Sequence, residues 1–242
     1  MRAIGRIHSV ETLGALDGPG LRYVIFLQGC EMRCKYCHNP DTWNKKGGRI
    51  ATVEEMLDDI LKYKEFIKDG GVTISGGEPL LQLGFCREMI RCCKEHGIHC
   101  ALDTAGMVKL DKAAAVIAMA DLILLDIKAA EKSLHKELTG FSNTMPLDIL
   151  DFCEDISKSV WIRHVLVPEY TLKKEPLENL GKLLSKYQCI ERVDLLPYHK
   201  MGEYKWEKLK LNVPFKKLPE PTQEQVAFAR NTLLRYHLPV FA

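Results

Sequence analysis

The chain has 242 residues, 46% of them apolar and 27% charged, with a formal net charge of +2. That length suits one large α/β domain or two small ones, and so apolar a composition excludes a disordered chain. The small net charge gives no general case for nucleic acid or an anionic membrane, and no apolar stretch reaches the ~18 residues of a membrane helix.

Before the first short apolar run, Asp17-Gly18-Pro19-Gly20 reads as a turn. Six apolar, β-rich runs then recur along the chain, at residues 22–27, 71–75, 98–103, 121–126, 160–167 and 192–197. Helical patterns separate them, at 53–67, 83–95, 111–118, 133–138, 147–157 and 177–187, and a last one covers 222–236. Thr52 with Glu55, and Thr222 with Gln225, carry the spacing of a capping box. Strand–helix alternation means βαβ units on a parallel sheet. The run Leu122-Ile123-Leu124-Leu125 is apolar on consecutive residues, as in strands covered on both faces. About six units point to an incomplete (β/α)6 TIM-like barrel rather than the closed eight-unit form of ~250 residues. A flavodoxin-like doubly wound sheet is the structural competitor. No linker or low-complexity tract divides the chain, so one domain over 1–242 is expected: a lead-in at 1–20, the partial barrel at about 21–200, and a C-terminal loop and helix at 201–242. The lysines between His199 and Leu218 read as a solvated loop, with a docking patch as the alternative.

The start of the chain has no long apolar run of a signal peptide. Nine cysteines, an odd number, argue against a disulfide framework and for a reducing, cytoplasmic setting.

Three of those cysteines carry the chemistry. Cys30, Cys34 and Cys37 follow the first parallel strand with spacing C-x3-C-x2-C, at the strand end where such folds keep their active sites. Three thiolates can hold an iron–sulfur cubane and leave one iron without a protein ligand. Two other readings fit these residues: a thioredoxin-type pair at Cys34 and Cys37, and a Cys3His zinc site with His38 in a zinc-stabilised binding module. The first needs no Cys30. The second needs adjacent ligands at 37 and 38, which is sterically awkward.

Further polar groups recur at strand ends. The second parallel strand runs into Gly76-Gly77-Glu78-Pro79, the third ends in Asp103-Thr104, and the fourth ends in Asp126-Ile127-Lys128. A single acid at a strand end reads as a helix cap, but Lys128 can neutralise a ligand carboxylate, and Asp103 and Asp126 can share a cation, since two carboxylates and carbonyls make an oxygen-rich site. Arg163 lies within the apolar fifth strand, where alternation sets it on one face and His164 on the other. A buried Arg needs a partner, and a structural acid would serve as well as a ligand. His199 follows the sixth strand.

The cysteine spacing with aromatic Tyr36, followed by Gly76-Gly77-Glu78 after the next strand, resembles the signature of the radical S-adenosylmethionine superfamily. With Gly5-Arg6-Ile7-His8 and Asp17-Gly18-Pro19-Gly20, the chain resembles the activating enzymes of glycyl-radical enzymes over nearly its whole length. The resemblance implies a [4Fe-4S] cluster on Cys30, Cys34 and Cys37, its open iron chelated by the amine and carboxylate of S-adenosylmethionine. It implies nucleotide contacts from Tyr36, Cys37, His38, Gly76, Gly77, Glu78, Asp126, Ile127, Lys128, Arg163 and His199. A monovalent cation would sit at Asp103, Thr104 and Asp126, and Asp17 and Arg163 would meet the protein substrate. No catalytic residue beyond the cluster and the nucleotide is implied. One electron from flavodoxin or ferredoxin would cleave the nucleotide, and the 5′-deoxyadenosyl radical would take a hydrogen atom from a backbone glycine. The short path from Asn44 to Arg49 lacks the ferredoxin-like insert of some of these activators, which favours pyruvate formate-lyase as the partner over other glycyl-radical enzymes. A monomer is expected.

Overall fold

The computed structural model describes residues 3–242; Met1 and Arg2, the first two residues of the lead-in, lie outside the described residues. The chain divides into two units, one of residues 1–31 with 42–124, the other of residues 32–41 with 125–242.

The first unit begins with β1 (Ile4–Gly14), which runs antiparallel to both β2 (Arg22–Leu27) and β3 (Arg49–Thr52). β2 then pairs in parallel with β4 (Gly71–Gly76), and β4 with β5 (Cys100–Thr104), giving the order β3-β1-β2-β4-β5. The helices α1 (Val53–Leu61), α2 (Leu83–Glu95) and α3 (Leu110–Met119) follow β3, β4 and β5. α1 starts at the expected capping box: the Thr52 hydroxyl accepts the Glu55 N–H, and the Glu55 carboxylate accepts the Thr52 N–H. It ends six residues before the expected 67, because residues 63–70 close successive turns that bring the chain to Gly71. Neither β1 nor β3 was expected. β1 buries Gly5, Ile7 and Gly14 but leaves Ile4, Val10 and Leu13 exposed with Ser9 and Glu11, so its alternation is weak.

β6 (Leu122–Asp126) crosses the boundary, its last two residues belonging to the second unit. That unit continues through α4 (Lys132–Thr139), α5 (Thr144–Asp155), β7 (Val160–Leu166), α6 (Lys174–Leu184), β8 (Ile190–Pro197), α7 (Glu203–Lys208), α8 (Gln223–Leu234) and β9 (Val240–Phe241). β7, β8 and β9 pair in parallel in that order. Along β7 the residues Val160, Ile162, His164 and Leu166 are buried while Trp161, Arg163 and Val165 are half-buried, the expected two-residue alternation. α5 and α6 each begin three residues ahead of expectation, with Pro146 and Pro176 inside the first turn, where a missing N–H costs no hydrogen bond. Thr222 and Gln225 form the second expected capping box. No helix among the described residues is long and apolar enough to cross a membrane.

Candidate active site

The cysteine loop leaves β2 at its C-terminal end, and all three of its cysteines are free thiols, Cys30 buried, Cys34 and Cys37 half-buried. In the first unit, Gly29 N–H bonds the Thr42 carbonyl at 2.7 Å, and the Gly29 carbonyl accepts the Glu78 N–H at 2.9 Å. The backbone at Gly77 passes so near that a Cβ there would lie 2.4 Å from the Gly29 oxygen and 3.0 Å from the Cβ of Cys30. Only glycine fits that approach, which accounts for Gly77 physically.

The Glu78 carboxylate, expected to meet a ligand amine, is buried and fully engaged by the chain itself. It accepts the Thr104 hydroxyl at 2.5 Å and the N–H groups of Leu80 at 3.1 Å, Ala105 at 3.1 Å and Met107 at 3.4 Å. Burial pushes its pKa up, against the pull of those four donors. Thr104 is thus bound to Glu78, and Asp103 accepts the Ser75 hydroxyl at 2.6 Å. Asp17 lies ahead of the N-terminal end of β2, its carbonyl accepting the Thr73 hydroxyl at 2.6 Å. The six residues of β2 therefore separate it from the cysteine loop, about 20 Å of strand. A protein substrate touching both would have to run along the strand.

Arg22, to which the sequence reading assigned no role, organises that turn. Fully buried, it donates to Thr73 Oγ1 at 2.5 Å and to the carbonyls of Val72 at 2.5 Å and Pro19 at 3.0 Å. Burial lowers its pKa to about 10.

In the second unit, Cys34 and Cys37 sit on a tight turn, Cys37 N–H to the Cys34 carbonyl at 3.1 Å. The loop is tied to α4 by Arg33 N–H to the Thr139 carbonyl at 3.0 Å and Lys35 N–H to the Leu138 carbonyl at 2.9 Å. Tyr36, between the two thiols, is buried with Leu138, Val167, Tyr198, Phe215 and Leu218. Its hydroxyl is buried with no hydrogen-bond partner, an orphan that a bound ligand could satisfy.

Lys128 Nζ lies 2.6 Å from Asp126 and 5.9 Å from the centre of the Tyr36 ring. Burial alone would lower its pKa, but Asp126 foremost, then Tyr36 and Cys34, outweigh burial and hold the ammonium charged. All three expected cation ligands thus have partners within the chain: Asp103 with Ser75, Thr104 with Glu78 and Asp126 with Lys128.

Arg163 and His164 diverge as expected. His164 is buried and donates from Nδ1 to the Ile127 carbonyl at 2.7 Å; burial lowers its pKa to about 4. Arg163 is half-buried, opposite Asp194 in the β7–β8 register, and its carbonyl accepts the Ile127 N–H at 3.1 Å. The His38 and His199 rings stack with centroids 3.9 Å apart, and the buried Nδ1 of His199 has no hydrogen-bond partner. Trp206, missed in the sequence because it sits among lysines, donates its indole N–H to the Cys37 carbonyl at 2.8 Å.

The donor set suits a cubane. Three reduced thiols lie in one loop, the glycine approach keeps backbone close to Cys30, and buried polar atoms of Tyr36 and His199 lack partners beside the other two cysteines. Among the described residues no group of three or more His, Cys, Asp or Glu side chains is gathered around a point that a single metal ion could occupy. Corners of a cubane stand apart, so its thiolates need not converge in that way.

A family profile described as a 4Fe-4S single cluster domain matches residues 16–144. The chain is 42% identical over 241 residues, 95% of it and 96% of the relative, to a pyruvate formate-lyase-activating enzyme of Listeria monocytogenes. The chain belongs to the family of pyruvate formate-lyase-activating enzymes. A second relative of that name, from Clostridium pasteurianum, is 44% identical over 224 residues, 92% of this chain and 94% of the relative. Among solved structures, a radical SAM methyltransferase from Sphaerobacter thermophilus superposes with a TM-score of 0.68 at 15% identity, covering 91% of this chain and 65% of that one. The fold of this activating-enzyme family member is therefore the radical SAM core, an incomplete (β/α)6 TIM-like barrel.

Proposed function

We propose that the chain activates pyruvate formate-lyase by placing a radical on one of its backbone glycines. The observation that carries this reading is the loop of three reduced thiols at the end of β2, in a chain at least 42% identical to pyruvate formate-lyase-activating enzymes over more than nine-tenths of its length. Cys30, Cys34 and Cys37 hold a [4Fe-4S] cluster. Bound together, that cluster and S-adenosylmethionine supply a 5′-deoxyadenosyl radical able to take a hydrogen atom from a glycine.

The chain's own residues position and enclose. Gly76 and Gly77 offer backbone to the ligand amine. Glu78 acts from behind them, holding the Thr104 hydroxyl and the backbone N–H groups of Ala105 and Met107 with three hydrogen bonds and its own turn with a fourth, from the Leu80 N–H. Lys128 brings a positive charge for the ligand carboxylate, and its pairing with Asp126 keeps that charge in a buried setting. Tyr36, Cys37, His38, Ile127 and His199 line the nucleoside. Arg163 and Asp17 meet the protein substrate. A hydrogen-atom transfer needs no general base, only reacting atoms held about 3–3.5 Å apart. The monovalent cation at Asp103, Thr104 and Asp126 would have to displace the partners these side chains now hold. A flavodoxin or ferredoxin is the electron donor to a monomeric, single-domain enzyme, and a reducing cytoplasm suits its nine free thiols.

The deciding experiment is anaerobic. Reconstituted protein should hold ~4 iron and ~4 sulfide per chain, and Cys34→Ala should hold far less. Mixed with pyruvate formate-lyase, S-adenosylmethionine and a reductant, it should yield a glycyl-radical signal in electron paramagnetic resonance. An intact cluster in the Cys34→Ala protein would sink the assignment. A signal only with another glycyl-radical enzyme would move the partner and leave the chemistry.

A further inference from the structure

The lysine-rich segment after β8 is fixed to the loop that carries Cys34 and Cys37. At its start, His199 stacks on His38, and a Cβ on Gly202 would lie 2.7 Å from the His38 Cα. In the middle, Trp206 bonds the Cys37 carbonyl, and Lys205 Nζ reaches Asn39 Oδ1 at 2.7 Å and Asp41 at 3.1 Å. At its end, Phe215 and Leu218 pack into the cluster that buries Tyr36.

Between those anchors the side chains turn outward. Met201 is 77% exposed and Tyr204 62%, and Leu209 and Leu211 are exposed as well. Around them stand the exposed Lys208, Lys210, Lys216 and Lys217. Residues 199–218 contain six lysines and only two acids, Glu203 and Glu207. Four exposed apolar side chains stand on a pinned segment whose rim is mainly positive, its one exposed acid, Glu207, pairing with Lys216 at 3.5 Å; that is the composition of a small transient interface rather than of a solvated loop.

We propose that this face is the docking surface for an acidic one-electron carrier protein. The inference rests on the function proposed above, which requires an outside electron. In the step the reduced carrier loses one electron and the cluster held by Cys30, Cys34 and Cys37 gains it; no atom is exchanged. The carrier fits this face better than the glycyl-radical partner does. A glycine must come within contact distance of the nucleotide, whereas an electron can cross intervening bonds, and here the surface joins the Cys37 carbonyl through one hydrogen bond.

The test compares the cluster-loaded wild type with a Lys208→Glu/Lys216→Glu/Lys217→Glu variant, whose changes are confined to exposed side chains. Calorimetric titration with a bacterial flavodoxin at about 50 mM salt should show binding at least about 10-fold weaker in the variant. S-adenosylmethionine cleavage driven by limiting reduced flavodoxin should fall by a similar factor. Cleavage driven by dithionite, which needs no docking, should stay within about twofold. Tyr204→Ser should weaken flavodoxin binding without changing its salt dependence. Equal flavodoxin affinity in the charge-reversed variant overturns the proposal. So does an equal loss with both reductants, or a loss confined to glycyl-radical yield under dithionite, which would assign the face to the glycyl-radical partner. If the wild type cleaves nothing with dithionite, the functional reading fails, and the calorimetric arm still decides whether the carrier binds here.

Discussion

Glu78 accepts the hydroxyl of Thr104 at 2.5 Å, and both side chains are buried. This joins the turn after β4 to the end of β5, and three backbone N–H groups complete the coordination of the same carboxylate. Glu78→Gln keeps the shape but turns an amide NH2 toward a donor. The expected loss is about 2 kcal/mol, or about 4–8 °C in Tm for a chain of this size. Calorimetric melting without nucleotide measures it. A residue that served only the ligand would leave that nucleotide-free melt unchanged.

Gly77 makes a sharper case. Gly77→Ala sets a methyl 2.4 Å from the Gly29 carbonyl oxygen and 3.0 Å from the Cβ of Cys30, and backbone cannot swing aside as a long side chain can. The loop has to shift at Cys30, the first of the proposed cluster ligands. Iron analysis of the reconstituted variant should fall to less than about half of the wild-type ~4 per chain. Gly84→Ala, where a Cβ meets nothing within 4 Å, should keep a full complement and serves as the control.

What could be read from the sequence, and what could not, follows from the range of the forces involved. The six expected parallel strands announce themselves through short apolar, β-rich runs, and each lies within two residues of its expected start, whereas the two-residue β9, also parallel, is too short to show in the sequence. β1 escapes because its partners on both sides are antiparallel strands whose pairing is decided by tertiary contact, and much of its length faces solvent. Pro146 and Pro176 mislead because a proline looks like a boundary from either side, yet the first turn of a helix accepts it. The cysteine spacing is local chemistry and stands out at once. The partners of Glu78, Lys128 and Trp206 lie at least one strand away or across a long loop, except for Leu80 and Asp126, and only the fold reveals that Glu78 is saturated by its own chain.

Lys128 and Asp126 form a largely buried ion pair, Nζ 2.6 Å from the carboxylate, beside the proposed nucleotide site. Lys128→Met leaves the Asp126 carboxylate without its ammonium, and the stability loss should be about 3 kcal/mol. The double variant Lys128→Met/Asp126→Leu removes both charges and should recover most of it. Affinity for S-adenosylmethionine, measured by calorimetry on the cluster-loaded protein, should fall about 10-fold in the single variant and should not return in the double. Recovery of both quantities together would make Lys128 a structural counter-ion alone.

His164 sets a stability limit on the acid side. Its pKa in the folded chain is about 4 because burial disfavours the charged ring, whereas an unfolded histidine titrates near 6.5. Between those values the unfolded chain takes up a proton that the folded chain refuses, so unfolding gains ground as pH falls. Above pH 6.5 the difference vanishes; from pH 7 to pH 5 it amounts to roughly 2 kcal/mol, lost by the wild type. His164→Gln retains a donor for the Ile127 carbonyl and cannot titrate. Anaerobic urea unfolding at the two pH values should therefore show a drop in wild-type stability that is smaller in His164→Gln by about that amount. Parallel losses in the two proteins would mean that the ring is already protonated in the folded state, or that its burial is relieved before it titrates.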